Sequence, residues 1–277
     1  MSGAIRSTII KELEVYRRKY LPVSLGLLLI PFLTVCSQPE GHQLQTFRGA
    51  IVRGDTSVRA LALVFTGDSF ADGGTHIAQV LAAEGIKASF FLTGNFYRNP
   101  GFASIIRTLY RDGHYLGAHS DRHLLYCDWT RRDSLLVSRQ QFRSDLLENY
   151  RAMREFRIAM ENASFFLPPY EWYNDTISRW TRDLGLQLIN YSPGTLSHAD
   201  YTLPGDPGYR SSQEIYRSIL DYESSACDGL NGFILLSHIG TAPERTDKFY
   251  QYLEKLIGEL KSRGYRFLRI DELLGRN

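Results

Sequence analysis

From residue 59 onward the chain alternates short apolar runs with amphipathic stretches, and this rhythm constrains the fold more than any other feature. Arg59 to Thr66 (RALALVFT) and Gly232 to Ser237 (GFILLS) are nearly continuous apolar runs of strand length. Runs of that kind suit strands covered on both faces. Further strands are expected at Lys87–Thr93, Tyr115–Ala118, Ser164–Leu167, Leu186–Tyr191 and Tyr265–Leu268. Helical spacing separates them at Thr75–Ala83, Phe102–Tyr110, Arg139–Phe156, Asn174–Leu184, Ser211–Ser224 and Arg245–Arg263, with a last helical turn at Asp271–Leu274. About seven β/α units in one domain, residues 59–277, imply an α/β fold: a parallel sheet with helices outside, open or closed into a barrel. Reactive groups then belong at the carboxyl ends of the strands.

Composition narrows the function classes. With 43% hydrophobic and 22% charged residues, the chain can bury enough apolar surface to fold. Lys+Arg 32 against Asp+Glu 30 leaves a net charge of +2, too balanced for a nucleic-acid partner. There is no Gly-rich phosphate loop, so a nucleotide cofactor is not expected. Cys36, Cys127 and Cys227 are too few for a disulfide framework, and no C-x-x-C spacing occurs.

The amino terminus reads as export machinery. Leu21 to Val35 is apolar, follows Arg17-Arg18-Lys19 and is interrupted by Pro22 and Pro31. It is shorter than the roughly 20 residues of a spanning helix and fits a secretory signal. Leu33-Thr34-Val35-Cys36 resembles a bacterial lipobox, which implies lipidation of Cys36 in an exported periplasmic or outer-membrane-anchored lipoprotein; the other reading is an ordinary signal peptide with a chance cysteine. Membrane contact is expected only through that lipid. Residues 1–36 are thus a signal peptide and 37–58 a polar tether.

Polar residues cluster after the strands. Thr66-Gly67-Asp68-Ser69-Phe70-Ala71-Asp72-Gly73-Gly74 follows the first; it reads either as a functional loop or as an Asx-capped turn. His119-Ser120-Asp121-Arg122-His123 follows the third. Two histidines four apart on a helical turn would face one metal ion. His238 is the lone titratable group at the end of a very apolar strand, which suits a proton donor. Pro168-Pro169-Tyr170-Glu171-Trp172-Tyr173 offers aromatics for stacking on a sugar or, equally, a packed loop.

In this order the four segments resemble the polysaccharide deacetylases, the NodB-homology domain of carbohydrate esterase family 4, over about residues 59–274. The H-[ST]-x-x-H signature is met by His119-Ser120-Asp121-Arg122-His123, and the late L-x-H strand end by Leu236-Ser237-His238. The T-F-D-D-G motif departs: Ala71 stands where the family keeps its catalytic base. In the R-x-P-Y motif, Leu167 replaces the arginine. The fourth motif has no clear match in Asn190–Tyr201. The chain therefore resembles a divergent branch.

The resemblance implies a distorted (β/α) barrel and a metal-dependent hydrolase removing N- or O-linked acetyl groups from a polysaccharide or oligosaccharide. It implies one divalent metal on Asp72, His119 and His123, Zn²⁺ by donor type, with Co²⁺, Ni²⁺ or Fe²⁺ as other candidates. Asp68 would be the base and His238 the acid; Asp68 and Asp72 could exchange roles, because spacing does not set the register of a loop. Pro169, Tyr170, Glu171 and Trp172 would contact the acetylated glycan, with a backbone N–H near Tyr170 holding the oxyanion. The alternative is a catalytically impaired, glycan-binding surface lipoprotein of the same fold. A third reading, H-x-D…H as the facial triad of an iron oxygenase, conflicts with the β/α alternation.

Overall fold

The computed structural model describes residues 43–275. The expected export signal, Cys36 within it, and residues 37–42 lie outside the described residues. The expected tether is corrected from residue 45 on. Gln45–Phe47 (β1) and Ala50–Arg53 (β2) form an antiparallel hairpin, with Phe47 opposite Ala50. Its two-residue turn, Arg48-Gly49, has positive φ at both positions (45° and 80°), the twist that two-residue hairpins favour. β2 is buried along its length, and Arg53 at its end is accommodated by pairing with Phe233 and sending its guanidinium to the carbonyls of Gly229 and Asn231.

The expected alternation follows. Ala60–Gly67 (β3) leads to Gly74–Ala83 (α1), Ser89–Leu92 (β4), the short helix Gly94–Arg98 (α2) and Ala103–Arg111 (α3). Tyr115–Ala118 (β5) leads to Arg139–Arg154 (α4), Phe165–Phe166 (β6) to Asp175–Asp183 (α5), and Gln187–Leu188 (β7) to Ser212–Ser225 (α6). Phe233–His238 (β8), Leu253–Ser262 (α7), Arg266–Phe267 (β9) and Ile270–Leu273 (α8) complete the order. The longer helices start as their sequences direct. Ser138 and Ser211 accept from the third helical N–H while Gln141 and Glu214 reach back, closing a capping box at each.

Two local expectations are corrected. The helix expected from Arg245 begins only at Leu253, because Arg245 is fully buried and bonded to the carbonyls of Thr202 and Arg210. The short helix α2, Gly94-Asn95-Phe96-Tyr97-Arg98, carries no helical periodicity to announce it; it starts where Thr93 Oγ1 accepts from Phe96 N–H.

The strands lie in the order β1-β2-β8-β3-β4-β5-β6-β7, with β9 paired to the start of β3. All contacts from β8 round to β7 are parallel. A bridge between Ile51 and Ile189 brings the end of β7 back to β2. The sheet therefore curls into a distorted β/α barrel, as expected.

Side chains alternate between two cores with the period of a strand. Ala60, Ala62, Val64, Ile234 and Leu236 join Phe91, Phe165 and Ile189 inside the barrel. Leu61, Leu63, Phe65, Phe233 and Leu235 face the helices. Ile270, Leu273 and Leu274 enter the inner cluster beside the start of β3, so α8 plugs the amino end. The carboxyl end is left as the mouth. No described helix is long and apolar enough to cross a membrane.

Candidate functional site

Strand parity delivers His238 to this mouth. It follows Ile234 and Leu236 at steps of two, and it pairs across to Thr66. Asp200, from the loop after β7, takes both of its polar handles. One carboxylate oxygen lies 2.6 Å from His238 Nδ1 and the other accepts from the His238 N–H at 2.9 Å. Burial alone would lower the imidazole's proton affinity. The Asp200 charge and hydrogen bond outweigh it, with help from Glu171, and raise the His238 pKa above its ordinary value. Nε2 remains for a ligand.

His119 and His123 sit at the end of β5, and the expected helical turn there is corrected. Ser120 and His123 adopt left-handed backbone (φ 71° and 54°). The segment is held by side chains instead: His123 N–H donates to Ser120 Oγ, and Arg122 N–H to Asp145. The two rings still meet, 5.1 Å between centroids. His119 is anchored twice. Its N–H donates to Asn149 Oδ1 at 2.9 Å, and Nδ1 lies 2.8 Å from the Leu167 carbonyl, which fixes Nδ1 as the protonated nitrogen of the neutral ring. Burial lowers the pKa of His119 far below its ordinary value, reinforced by His123. Burial likewise brings His123 down to about 4. Both imidazoles are therefore neutral at pH 7 and have lone pairs to give.

The two acids of the first loop part company. Asp68 stays at the mouth, accepting from Ser69 (2.7 Å), Thr93 (2.8 Å) and Asn95 (3.3 Å). Burial works against its charge, but these donors and the nearby His123 outweigh it and keep its pKa low. Asp72 turns away, which corrects its expected place beside the histidines. Its oxygens accept from Thr241 N–H (2.8 Å), Lys248 Nζ (2.9 Å) and Tyr250 OH (3.1 Å). The carboxylate facing the imidazole pair is Asp68, the exchange of roles that the loop left open. Among the described residues no three His, Cys, Asp or Glu side chains are already drawn together around one point. The donor chemistry nevertheless suits a divalent ion: two neutral imidazoles, one of them oriented by a carbonyl, and an ionised carboxylate.

The Pro-Tyr loop forms one wall. Pro169 and Tyr173 are buried, and the Tyr173 OH bonds the Phe47 carbonyl, so Tyr173 is structural. Tyr170 is 44% exposed and lies 4.3 Å from the His123 ring. The row continues outward through Trp129, 5.5 Å from Tyr170, to Trp172, 5.4 Å from Trp129. Arg132 covers Trp172 at 3.8 Å. Glu171 is within electrostatic reach of His238, Asp200, Tyr191 and Tyr201.

Asp200 and Trp129 were not foreseen. Asp200 lies in a loop with no motif; the only signal was that a lone strand-end histidine needs a partner. Trp129 lies in an irregular stretch whose position depends on the fold.

The molecule is thus a distorted β/α barrel with an imidazole pair, a carboxylate and a His–Asp couple around its carboxyl mouth. Residues 53–189 match the family model described as polysaccharide deacetylase. It is 24% identical over 229 residues to a chitin deacetylase of Arthroderma benhamiae, covering 82% of this chain and 55% of that protein. It is 26% identical over 189 residues to a peptidoglycan-N-acetylglucosamine deacetylase of Bacillus cereus, covering 68% of this chain and 75% of the other. Among solved structures it resembles a pseudoenzyme of carbohydrate esterase family 4 from Bacillus anthracis, with TM-score 0.64 and 18% identity over 83% of this chain and 70% of that one.

Proposed function

We propose that the chain is a carbohydrate deacetylase, hydrolysing an N- or O-linked acetyl group on a glycan with one divalent metal. The observation that carries this reading is the set of side chains gathered at the mouth: an imidazole pair with centroids 5.1 Å apart, Asp68, and the His238–Asp200 couple at 2.6 Å. Burial favours the neutral form of both imidazoles, hydrogen bonds favour the ionised form of Asp68, and Asp200 raises the proton affinity of His238. The family-model match over residues 53–189 and the deacetylases among its relatives support it.

Asp68, His119 and His123 would hold the ion, and Zn²⁺ suits two imidazoles and a carboxylate. When bound, it supplies Lewis acidity to the acetyl carbonyl and lowers the pKa of water. The chain's residues do the rest. Leu167 and Asn149 hold His119 in orientation. Tyr170, Trp129 and Trp172 offer aromatic faces to a sugar. His238 Nε2 gives its proton to the leaving nitrogen or oxygen, and Asp200 stabilises the imidazolium beforehand.

The test is acetate release from chitooligosaccharides and acetylated xylan, with metal content measured on the same samples. About one ion per wild-type chain is expected. His119→Ala and His123→Ala should lose both the ion and turnover. Full turnover in either variant would refute the reading.

A further inference from the structure

We propose that Glu171 is the general base of the deacetylation, supplying the carboxylate that the chain lacks at Ala71. The inference rests on the deacetylase reading above. It starts from a census of the carboxylates near the mouth. Asp68 receives three donors and faces His123. Both oxygens of Asp200 are taken by His238. Asp121 is paired with Arg98 at 2.6 Å, and Asp72 is turned to Lys248. Among the described residues, no group donates to the Glu171 carboxyl. A partly buried carboxylate without a donor is costly unless something outside the chain completes it. In a hydrolase mouth, water is the natural donor.

The backbone holds Glu171 there deliberately. Tyr170 and Glu171 occupy the left-handed region in succession (φ 59° and 54°). That geometry is unfavourable for non-glycine residues and persists only where surroundings enforce it. Asn190 Nδ2 grips the Glu171 carbonyl at 2.8 Å, and the Glu171 N–H closes on the Pro168 carbonyl. The carboxyl so placed is within electrostatic reach of the His238 couple.

The groups whose charge reaches Glu171 are His238 from β8 and Asp200 from the loop after β7, and the charge of Glu171 in turn reaches the hydroxyls of Tyr191 and Tyr201. Burial raises the Glu171 pKa to about 7, with His238 lowering it and Asp200 raising it. A carboxyl there exchanges protons near neutrality, as an efficient base must. The coupling is mutual, because Glu171 also helps to keep His238 protonated. Ionised Glu171 and protonated His238 therefore stabilise each other, and that pair of states is the one a base and an acid must start from.

The step balances. A water O–H bond breaks, its proton goes to a Glu171 carboxylate oxygen, and the water oxygen bonds to the acetyl carbon as the carbonyl electron pair moves to oxygen. The carbonyl reforms, and the C–N or C–O bond to the sugar breaks. The leaving atom keeps the electron pair and takes the proton of His238 Nε2. Acetic acid departs and releases the water's second proton to solvent as it becomes acetate, and the Glu171 proton passes to His238, restoring both groups.

The test compares wild type, E171Q and E171D in the full, metal-loaded chain. The E171Q variant should lose ~100-fold or more in kcat with KM, metal content and thermal midpoint unchanged. Wild-type kcat should rise with pH through the region near 7; E171Q should lose that limb, and E171D should keep it at reduced rate. E171D keeps the question open to measurement if E171Q folds poorly: a wild-type-like variant without the limb would refute the base. An E171Q enzyme within ~3-fold of wild type, with His119→Ala inactive, overturns Glu171 and leaves the deacetylase standing. A metal-loaded wild type that releases no acetate overturns both.

Discussion

Asp200→Asn isolates the couple that prepares His238. The carboxylate is 3% exposed and makes two short bonds to one residue, with the imidazole side chain itself 20% exposed. A hydrogen bond to a charged partner contributes about 1.5–3 kcal/mol net. At about 1.36 kcal/mol per pKa unit, removing the charge should lower the His238 pKa by roughly 1–2 units. The basic limb of the rate profile should move down by the same interval, so turnover above neutrality falls ~10- to 100-fold while KM holds. An NMR titration of His238 reads the shift without relying on turnover. Stability gives a second reading with a definite sign. The His238 pKa is raised on folding, so the pair's contribution is fully present below the unfolded value of about 6.5 and fades as pH rises through the folded value. Wild type should therefore lead the variant most clearly at pH 5–6 in urea unfolding. A His238 titration that moves by less than about 0.3 unit would refute the account.

Two other substitutions separate structure from chemistry. Asp72→Asn should keep turnover but lose ~1 kcal/mol of stability near neutral pH, since the half-exposed bond to Lys248 is screened and the Thr241 N–H is the firmer partner. Its pKa is held below the ordinary value, so that difference should vanish in urea melts as pH falls through the lowered pKa; loss of turnover would restore Asp72 to the site. Trp129→Ala should raise KM for oligosaccharides ~5- to 50-fold with kcat on small aryl acetates unchanged, and equal effects on both substrates would remove Trp129 from the glycan wall.

The sequence was most legible where burial is continuous. β3 and β8 announce themselves by unbroken apolar runs, and the end of β8 locates His238 to the residue. β1 and β2 were missed because their hairpin carries Arg48 in its turn and Arg53 at its end, and a buried Arg53 contradicts the usual sign of a strand interior. The H-S-D-R-H segment misled in geometry, not in composition. Its polar side chains satisfy the backbone directly, and a spacing of four then carries no helical meaning. Asp68 and Asp72 could not be told apart because the decision belongs to Lys248, Thr241 and Tyr250, which are far along the chain. Asp200 was invisible for the same reason: its role is defined by a partner 38 residues away.

Four of the six described non-glycine residues with left-handed backbone, Ser120, His123, Tyr170 and Glu171, line this mouth. Each such residue carries about 1–3 kcal/mol of conformational cost, financed by the barrel beneath. Selection for heat tolerance would thus find easy gains here, since glycine at any of the four relaxes the backbone. Three of those gains would each remove an imidazole, an aromatic face or a carboxyl from the site, and the fourth the hydroxyl that positions one of the imidazoles. A laboratory lineage evolved for stability alone should therefore drift toward a sturdier barrel that has lost its chemistry.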